Sequence, residues 1–328
     1  MGAGSVGCWV GGCLQAAGAD VTFIGRPRVL DALRAQGLAL TSLDGRRIEL
    51  PAARLTLAER PPLSGAPALV LLTVKSAATR AAAAELARAL APSTPVLSLQ
   101  NGIGNADAAR AAAPVLEVIA GMVPFNVAEL GPARFHRGTS GALAAADHPA
   151  LRAWLPTFAA AGLPLELHAD MRGVQWAKLL LNLNNPVNAL SGLPLREELL
   201  IRGYRRVLAA LQDEALAALA AARIEPARLT PLPARALPWV LRLPTPLFRR
   251  VASKMLRIDG QARSSMADDL AAGRTTEIDA LCGEVVAVAR GLGLAAPLNA
   301  RISGLVREWP LRRKPWPAAE LARAVGLD

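Results

Sequence analysis

Aromatic residues make up only 4% of this 328-residue chain, and cysteine and histidine are scarcer still, at three each. Each shortage narrows the function. Cys8, Cys13 and Cys282 build no disulfide framework and show no metal-ligand spacing, which fits a reducing cytoplasm as the expected location. His136, His148 and His168 fall in no motif, so no metal is expected. No uninterrupted apolar run reaches the roughly 20 residues of a membrane-spanning helix. The apolar opening from Gly2 to Ala19 has no basic segment before it and does not read as a signal peptide. The net charge of +11 suggests nucleic acid, but the basic residues are scattered and the one dense cluster, Arg312-Arg313-Lys314, is short. Neither nucleic acid nor membrane is an expected partner.

Hydrophobic residues, by contrast, reach 52%, and the length suffices for two packed domains. Arginine supplies nearly all the positive charge, and the only lysines are Lys75, Lys178, Lys254 and Lys314. The first half alternates strand and helix patterns. Residues 21–24, 69–74 and 96–99 read as buried strands, residues 77–90 as an alanine-rich helix, and Leu38–Ser42 with Arg47–Leu50 as a hairpin around Asp44-Gly45. Such alternation predicts a parallel sheet covered on both faces. Beyond about Asp170 the patterns are helical, over residues 176–190, 207–221, 266–272 and 278–292. Six prolines between Pro226 and Pro246 exclude one straight helix there. The expected architecture is an α/β Rossmann-type doubly wound domain over residues 1–168 and an all-α domain over residues 169–328.

Gly2-Ala3-Gly4-Ser5-Val6-Gly7 is a G-x-G-x-x-G turn. Its glycines permit the tight turn, the approach of backbone to pyrophosphate and close helix–strand packing, with phosphate at a helix N-terminus. Gly2, Gly4, Ser5, Val6 and Gly7 are therefore candidate cofactor-binding residues. About 20 residues on, where an acid would bind the ribose of NAD, stands Arg26, backed by Arg28. That exchange suits a 2′-phosphate and predicts NADPH; the plainer reading is two more surface arginines. Met1 directly precedes Gly2, so the strand that normally leads into the turn is absent. Either the start is assigned too late or the chain is truncated, and a sheet without its central strand has a buried gap. Lys75 and Asn101 follow two predicted strands and should line the cofactor crevice, although Asn101-Gly102 is also ordinary turn chemistry.

In the second half, Lys178, Asn182 and Asn185 fall at i, i+4 and i+7 and share one predicted helix face. Asparagine is a mediocre helix former, so its repetition needs a reason. A partly buried lysine gives up a proton near neutral pH as arginine does not. The alternative is a buried polar network holding the domains together. Pro186 should kink that helix or end its regular ladder. Farther on, Gly273 should close one helix and Thr275 or Thr276 cap the next. Glu277 would then sit in a first helical turn, either complementing the dipole or facing Lys178.

With GAGSVG, TVKS, LQNGIG, WAKLLLN and SSMADDLAAGRTTEID in this order, the chain resembles the ketopantoate reductase family over essentially its whole length. The resemblance implies NADPH-dependent reduction of 2-dehydropantoate to pantoate, a step toward coenzyme A. It implies that Lys178 donates a proton to the ketone oxygen and that Glu277 binds the substrate hydroxyl and supports the lysine. Asn182 and Ser265 match substrate-binding positions, Asn101 a position between nicotinamide and substrate, and Arg26 and Lys75 basic residues on the cofactor side. One departure stands out. The family commonly carries a second asparagine eight residues after the lysine, followed by proline, whereas Pro186 occupies that position here. Asn185 takes the role if one residue has been lost. Two alternatives stay open: reduction of another branched 2-oxo acid, and a non-enzymatic NADPH-binding protein. An inter-domain cleft is the expected seat of a small 2-oxo acid. A homodimer is neither required nor excluded.

Overall fold

The computed structural model describes residues 1–62, 66–253, 256, 259–260 and 262–327; Lys254 lies outside them. The chain divides into two compact units, Met1–Met171 and Arg172–Asp328.

In the first unit the strands are β1 (Thr22–Ile24), β2 (Leu38–Ser42), β3 (Arg47–Leu50), β4 (Thr56–Ala58), β5 (Val70–Leu72), β6 (Pro95–Ser98), β7 (Glu117–Met122), β8 (Val127–Gly131), β9 (Arg134–Arg137), β10 (Leu143–Ala146) and β11 (Leu165–His168). The helices are α1 (Ser5–Ala16), α2 (Pro27–Gln36), α3 (Thr79–Ala89), α4 (Asn105–Ala112), α5 (Pro149–Arg152) and α6 (Leu155–Ala160). Strands β5, β6 and β7 run parallel, β10 joins β7 antiparallel, and β11 pairs parallel with β10. β1 and β4 form a separate parallel pair.

Met1–Ala3 lie between these two groups. The Met1 nitrogen donates to the Leu71 carbonyl at 2.8 Å, and Thr73 N–H donates to the Met1 carbonyl at 2.9 Å. On the other side Gly2 and Ala3 N–H both donate to the Ile24 carbonyl, at 2.9 and 2.8 Å. These residues thus occupy the carboxyl end of the place expected for the central strand, and they narrow the anticipated gap where the glycine turn begins.

Alternation along β5, β6 and β7 sends apolar side chains to both faces, as a sheet covered on both sides requires. Val70, Leu72, Val96 and Val118 pack with Ala82, Leu86 and Ala109 of α3 and α4. Leu97 and Ile119 face the opposite core, which holds Trp9 and Leu14 of α1. Full burial of a side chain such as Leu86 or Leu97 stabilises by about 1.5–3 kcal/mol. The hairpin around Asp44-Gly45 forms as expected. It then gains β9, parallel to β2, and β8 to make a second four-stranded sheet. Leu38, Leu40 and Phe135 of that sheet are buried in the α1 core.

The second unit is helical: α7 (Met171–Asn182), α8 (Asn184–Ser191), α9 (Leu195–Leu200), α10 (Arg202–Ala221), α11 (Leu237–Arg242), α12 (Thr245–Val251), α13 (Ser265–Ala271), α14 (Glu284–Gly291), α15 (Pro297–Arg312) and α16 (Ala318–Val325). The 20-residue α10 is its axis, burying Val207, Leu208, Leu211, Ala215 and Leu219. The proline-rich stretch resolves into short helices, with Pro238 and Pro246 near the starts of α11 and α12, where a missing N–H costs nothing. No helix among the described residues is long and apolar enough to cross a membrane.

Candidate functional site

The glycine turn has a clear division of labour. Gly2 adopts φ +103°, in the region that favours glycine. A Cβ added there would meet Val74 N at 2.6 Å and the Thr73 carbonyl carbon at 2.8 Å. A Cβ on Gly7 would strike the Gly2 carbonyl oxygen and come within 2.6 Å of Thr73 Oγ1. Thr73 Oγ1 in turn donates to the Gly2 carbonyl at 2.8 Å, fixing the turn against the end of β5. Gly4 is different: a Cβ there would project into open space. Gly4 is also the N-cap of α1 and offers no side-chain cap. Ser5 and Val6 open the helix, where N–H groups lack intrahelical acceptors. A bare backbone at a 12-residue helix's positive end fits a dinucleotide pyrophosphate.

Arg26 is exposed just beyond β1, as the N-cap of α2. Arg28, two residues on, is also exposed, and its guanidinium pairs with Glu129 at 3.3 Å. Lys75 is exposed just after the end of β5, and Asn101 is partly buried in the loop after β6. A polar network missed by the sequence reading ties these two loops together. Gln100 Nε2 donates to the Val74 carbonyl at 2.9 Å and to Thr79 Oγ1 at 2.7 Å. Ser98 Oγ donates to Gln100 Oε1 at 2.9 Å. Thr79 Oγ1 then reaches Asn105 Oδ1, while Asn105 Nδ2 donates to the Asn101 carbonyl at 2.7 Å. The signal for this network was a glutamine directly after a predicted buried strand. Such a residue needs partners once buried.

In the helical unit the predicted single helix is two. α7 ends at Asn182, Leu183 is a one-residue turn, and α8 starts at Asn184. Pro186 explains the break. Its ring leaves the Asn182 carbonyl without its expected donor. As the third residue of a new helix it needs no donor of its own. Lys178 and Asn182 therefore share α7 one turn apart, whereas Asn185 belongs to α8.

Lys178 is partly buried, and burial lowers its amine from the usual 10.5 to about 8. Asn182 is buried. Asn185 and Ser265 are brought close through Ser264, the N-cap of α13. Ser264 Oγ donates to the Asn185 carbonyl at 3.2 Å and accepts from Ala267 N–H at 3.1 Å. Ser265 is the exposed first residue of that helix. Gly273 closes α13 at φ +63°, as expected. The following expectation fails. Neither Thr275 nor Thr276 opens the next helix, because a π-helical turn begins only at Asp279, after Ile278. Glu277 stands before it in non-helical chain and is not placed to complement that helix's dipole from its first turn. The residues between Gly273 and Asp279 are too polar and too few to read periodically, so the helix start was set too early.

Comparison with known proteins places this arrangement. The model "Ketopantoate reductase PanE/ApbA" matches residues 1–150, and its C-terminal counterpart matches residues 170–309. A PanE/ApbA family ketopantoate reductase structure from Ralstonia eutropha JMP134 superposes with TM-score 0.80 at 33% identity, covering 95% of this chain and 98% of that one. The chain belongs to the ketopantoate reductase family. A 2-dehydropantoate 2-reductase of Pyrococcus horikoshii is 28% identical over 321 residues, covering 94% of this chain and 95% of its own. A D-mandelate dehydrogenase in ternary complex with NADH and anilino(oxo)acetate shares the fold, with TM-score 0.77 at 20% identity over 93% of this chain and 96% of that chain. Membership in the ketopantoate reductase family makes the chain an oxidoreductase with a Rossmann-type unit and a helical unit, as the sequence motifs implied.

Proposed function

We propose that this reductase converts 2-dehydropantoate to pantoate with NADPH. The observation that carries the reading is Lys178: a lysine in an arginine-rich chain, on α7 one turn from Asn182, with burial lowering its amine to about 8. Such an amine is largely protonated at neutral pH yet releases its proton readily, as a general acid for a ketone oxygen requires. When bound, the dihydronicotinamide supplies hydride to the ketone carbon. Lys178 Nζ holds the proton that the oxygen then takes, and its charge stabilises the developing alkoxide. Asn182, Asn185 and Ser265 orient the oxo acid, and Glu277 accepts from the substrate hydroxyl. Asn101 separates nicotinamide from substrate. Gly2, Gly4, Ser5, Val6 and Gly7 receive the pyrophosphate, and Arg26 with Lys75 favours the 2′-phosphate of NADPH over NADH. Residues 1–168 serve the cofactor and residues 169–328 the substrate. Cys8, Cys13 and Cys282 are free and buried, which suits a reducing cytoplasm.

A second reading is supported by Asn185, which stands seven residues after Lys178 and beyond a helix break. A shifted amide changes the shape presented to the substrate and favours a different branched 2-oxo acid. Purified protein with NADPH or NADH and a panel of 2-oxo acids, followed by loss of dihydronicotinamide absorbance, decides among these. Turnover selective for 2-dehydropantoate with NADPH supports the first reading. Turnover of another oxo acid alone replaces it with the second. Tight NADPH binding without turnover of any leaves a binding protein.

A further inference from the structure

Apart from the residues assigned above, the helical unit buries one acid completely among its described residues. Glu198 in α9 has 0% exposure. Its Oε2 accepts from Asn184 Nδ2 at 3.0 Å. Glu198 Oε1 and Asn184 Oδ1 are both buried without a hydrogen-bond partner in the protein. α8 and α10 pack on α9, and Thr245 of α12 donates to its Leu200 carbonyl at 3.3 Å. α8 contributes the neutral Asn184. From α10, Arg205 is the charge that favours the ionised acid, burial and then Glu198 hold the Tyr204 phenol up, and burial and then Arg202 lower Arg205.

Arg205 offers limited compensation. Its guanidinium donates to the carbonyls of Leu241, Leu199 and Leu243 at 3.0, 2.8 and 2.8 Å and to Thr245 Oγ1 at 3.3 Å. It also lies over the Phe248 ring at 4.2 Å. Burial consequently pushes the Glu198 carboxyl up to about 8, so the group is largely protonated at neutral pH. A buried acid kept neutral beside an asparagine is an expensive way to fill space when leucine would do.

Its partner explains the choice. Asn184 is the first residue of α8, directly after the Leu183 turn that ends α7. We propose that Glu198 is a positioning residue for the reductase site, holding Asn184 and through it the turn that sets Asn182 and Lys178. The proposal rests on the reading of Lys178 as proton donor. In Glu198→Gln the amide oxygen still accepts from Asn184 Nδ2, and the new amide NH2 only adds donors. In Glu198→Leu the space stays filled but the Asn184 amide loses its acceptor, the turn relaxes and water reaches the lysine.

The test uses full-length protein carrying ¹³C at lysine Cε, since with so few lysines the Lys178 signal is assignable by its loss in Lys178→Met. Titration of the wild type should show Lys178 near 8. Glu198→Leu should move it back toward the free-lysine value by about one pH unit or more, and Glu198→Gln should leave it in place. With an active oxo acid, kcat should fall at least tenfold in Glu198→Leu with NADPH affinity unchanged, and recover in Glu198→Gln. A folded Glu198→Leu protein whose Lys178 titrates as in the wild type overturns the proposal. If that variant does not fold, Asn184→Ala removes the same bond from the other side and must produce the same shift; no shift there also overturns it. A wild type without turnover, in which the Lys178 titration still responds to Glu198, defeats the reductase reading alone.

Discussion

Asn188 holds Ser264 by a hydrogen bond of 2.9 Å from the serine backbone N–H to the asparagine Oδ1, across 76 residues of sequence. Asn188 is fully buried, and its Nδ2 donates to the Leu193 carbonyl at 2.9 Å. One side chain thus fixes both the end of α8 and the start of α13, where Ser265 lies.

Asn188→Leu leaves the Ser264 N–H and the Leu193 carbonyl without this partner in the interior. Each orphaned group costs about 1–3 kcal/mol, so the denaturant midpoint should drop clearly. Because Ser265 moves with Ser264, KM for the oxo acid should rise several-fold while the Kd of NADPH stays within twofold. Equal weakening of both ligands would mean that Ser265 is not a substrate contact.

The two halves of the glycine turn should respond oppositely to the same added methyl. Gly7→Ala collides with the Gly2 carbonyl and Thr73 and should lower Tm by several degrees. Gly4→Ala meets nothing within 4 Å and should lower Tm far less, by no more than the cost of alanine at an N-cap. It should instead weaken NADPH tenfold or more, because the methyl fills the space that pyrophosphate needs. Unchanged NADPH affinity in Gly4→Ala would remove the turn from the cofactor site.

Arg26 is exposed, so its removal reads specificity rather than stability. Arg26→Ser should reduce kcat/KM for NADPH at least tenfold and change that for NADH by less than threefold. Paired steady-state assays with both cofactors check this. An equal loss with both would show that Arg26 does not sense the 2′-phosphate.

How much of this was legible in the sequence varies with the range of the interaction. The glycine turn, the Asp44-Gly45 hairpin and the closure of α13 at Gly273 depend on residues a few positions apart, and each carries a local chemical signature. The pairing of Leu38–Ser42 with Arg134–Arg137 has no such signature, because a short, half-exposed strand gains its identity only from a partner far along the chain. Pro186 announced a disturbance but not its form. That the new helix starts at Asn184 was not legible, because the Asn184 contact with Glu198 lies on the next helix. Gln100 and Asn188 were hidden for a related reason: a polar residue's burial becomes visible only when its partners are known. Of the candidate site, the residue types were readable and the supports were not.

The last prediction concerns the lysine itself. Lys178→Met preserves much of the aliphatic volume and removes the proton. Loss of a general acid should lower kcat by roughly 10²–10⁴, with NADPH still bound. Stability should change with pH in its own way. The folded amine titrates near 8 and the unfolded one near 10.5, so below about 8 both states are protonated and the buried charge destabilises the fold in full. Between those values the unfolded state binds more protons, and wild-type stability gains as pH rises. The wild type should therefore gain stability relative to Lys178→Met between pH 8 and 10.5. Thermal melts across that range, set beside turnover, separate a lysine kept for chemistry from one kept for packing. A wild type whose stability does not rise between pH 8 and 10.5 would show that the fold does not depress this amine, and the proton-donor reading would lose its physical basis.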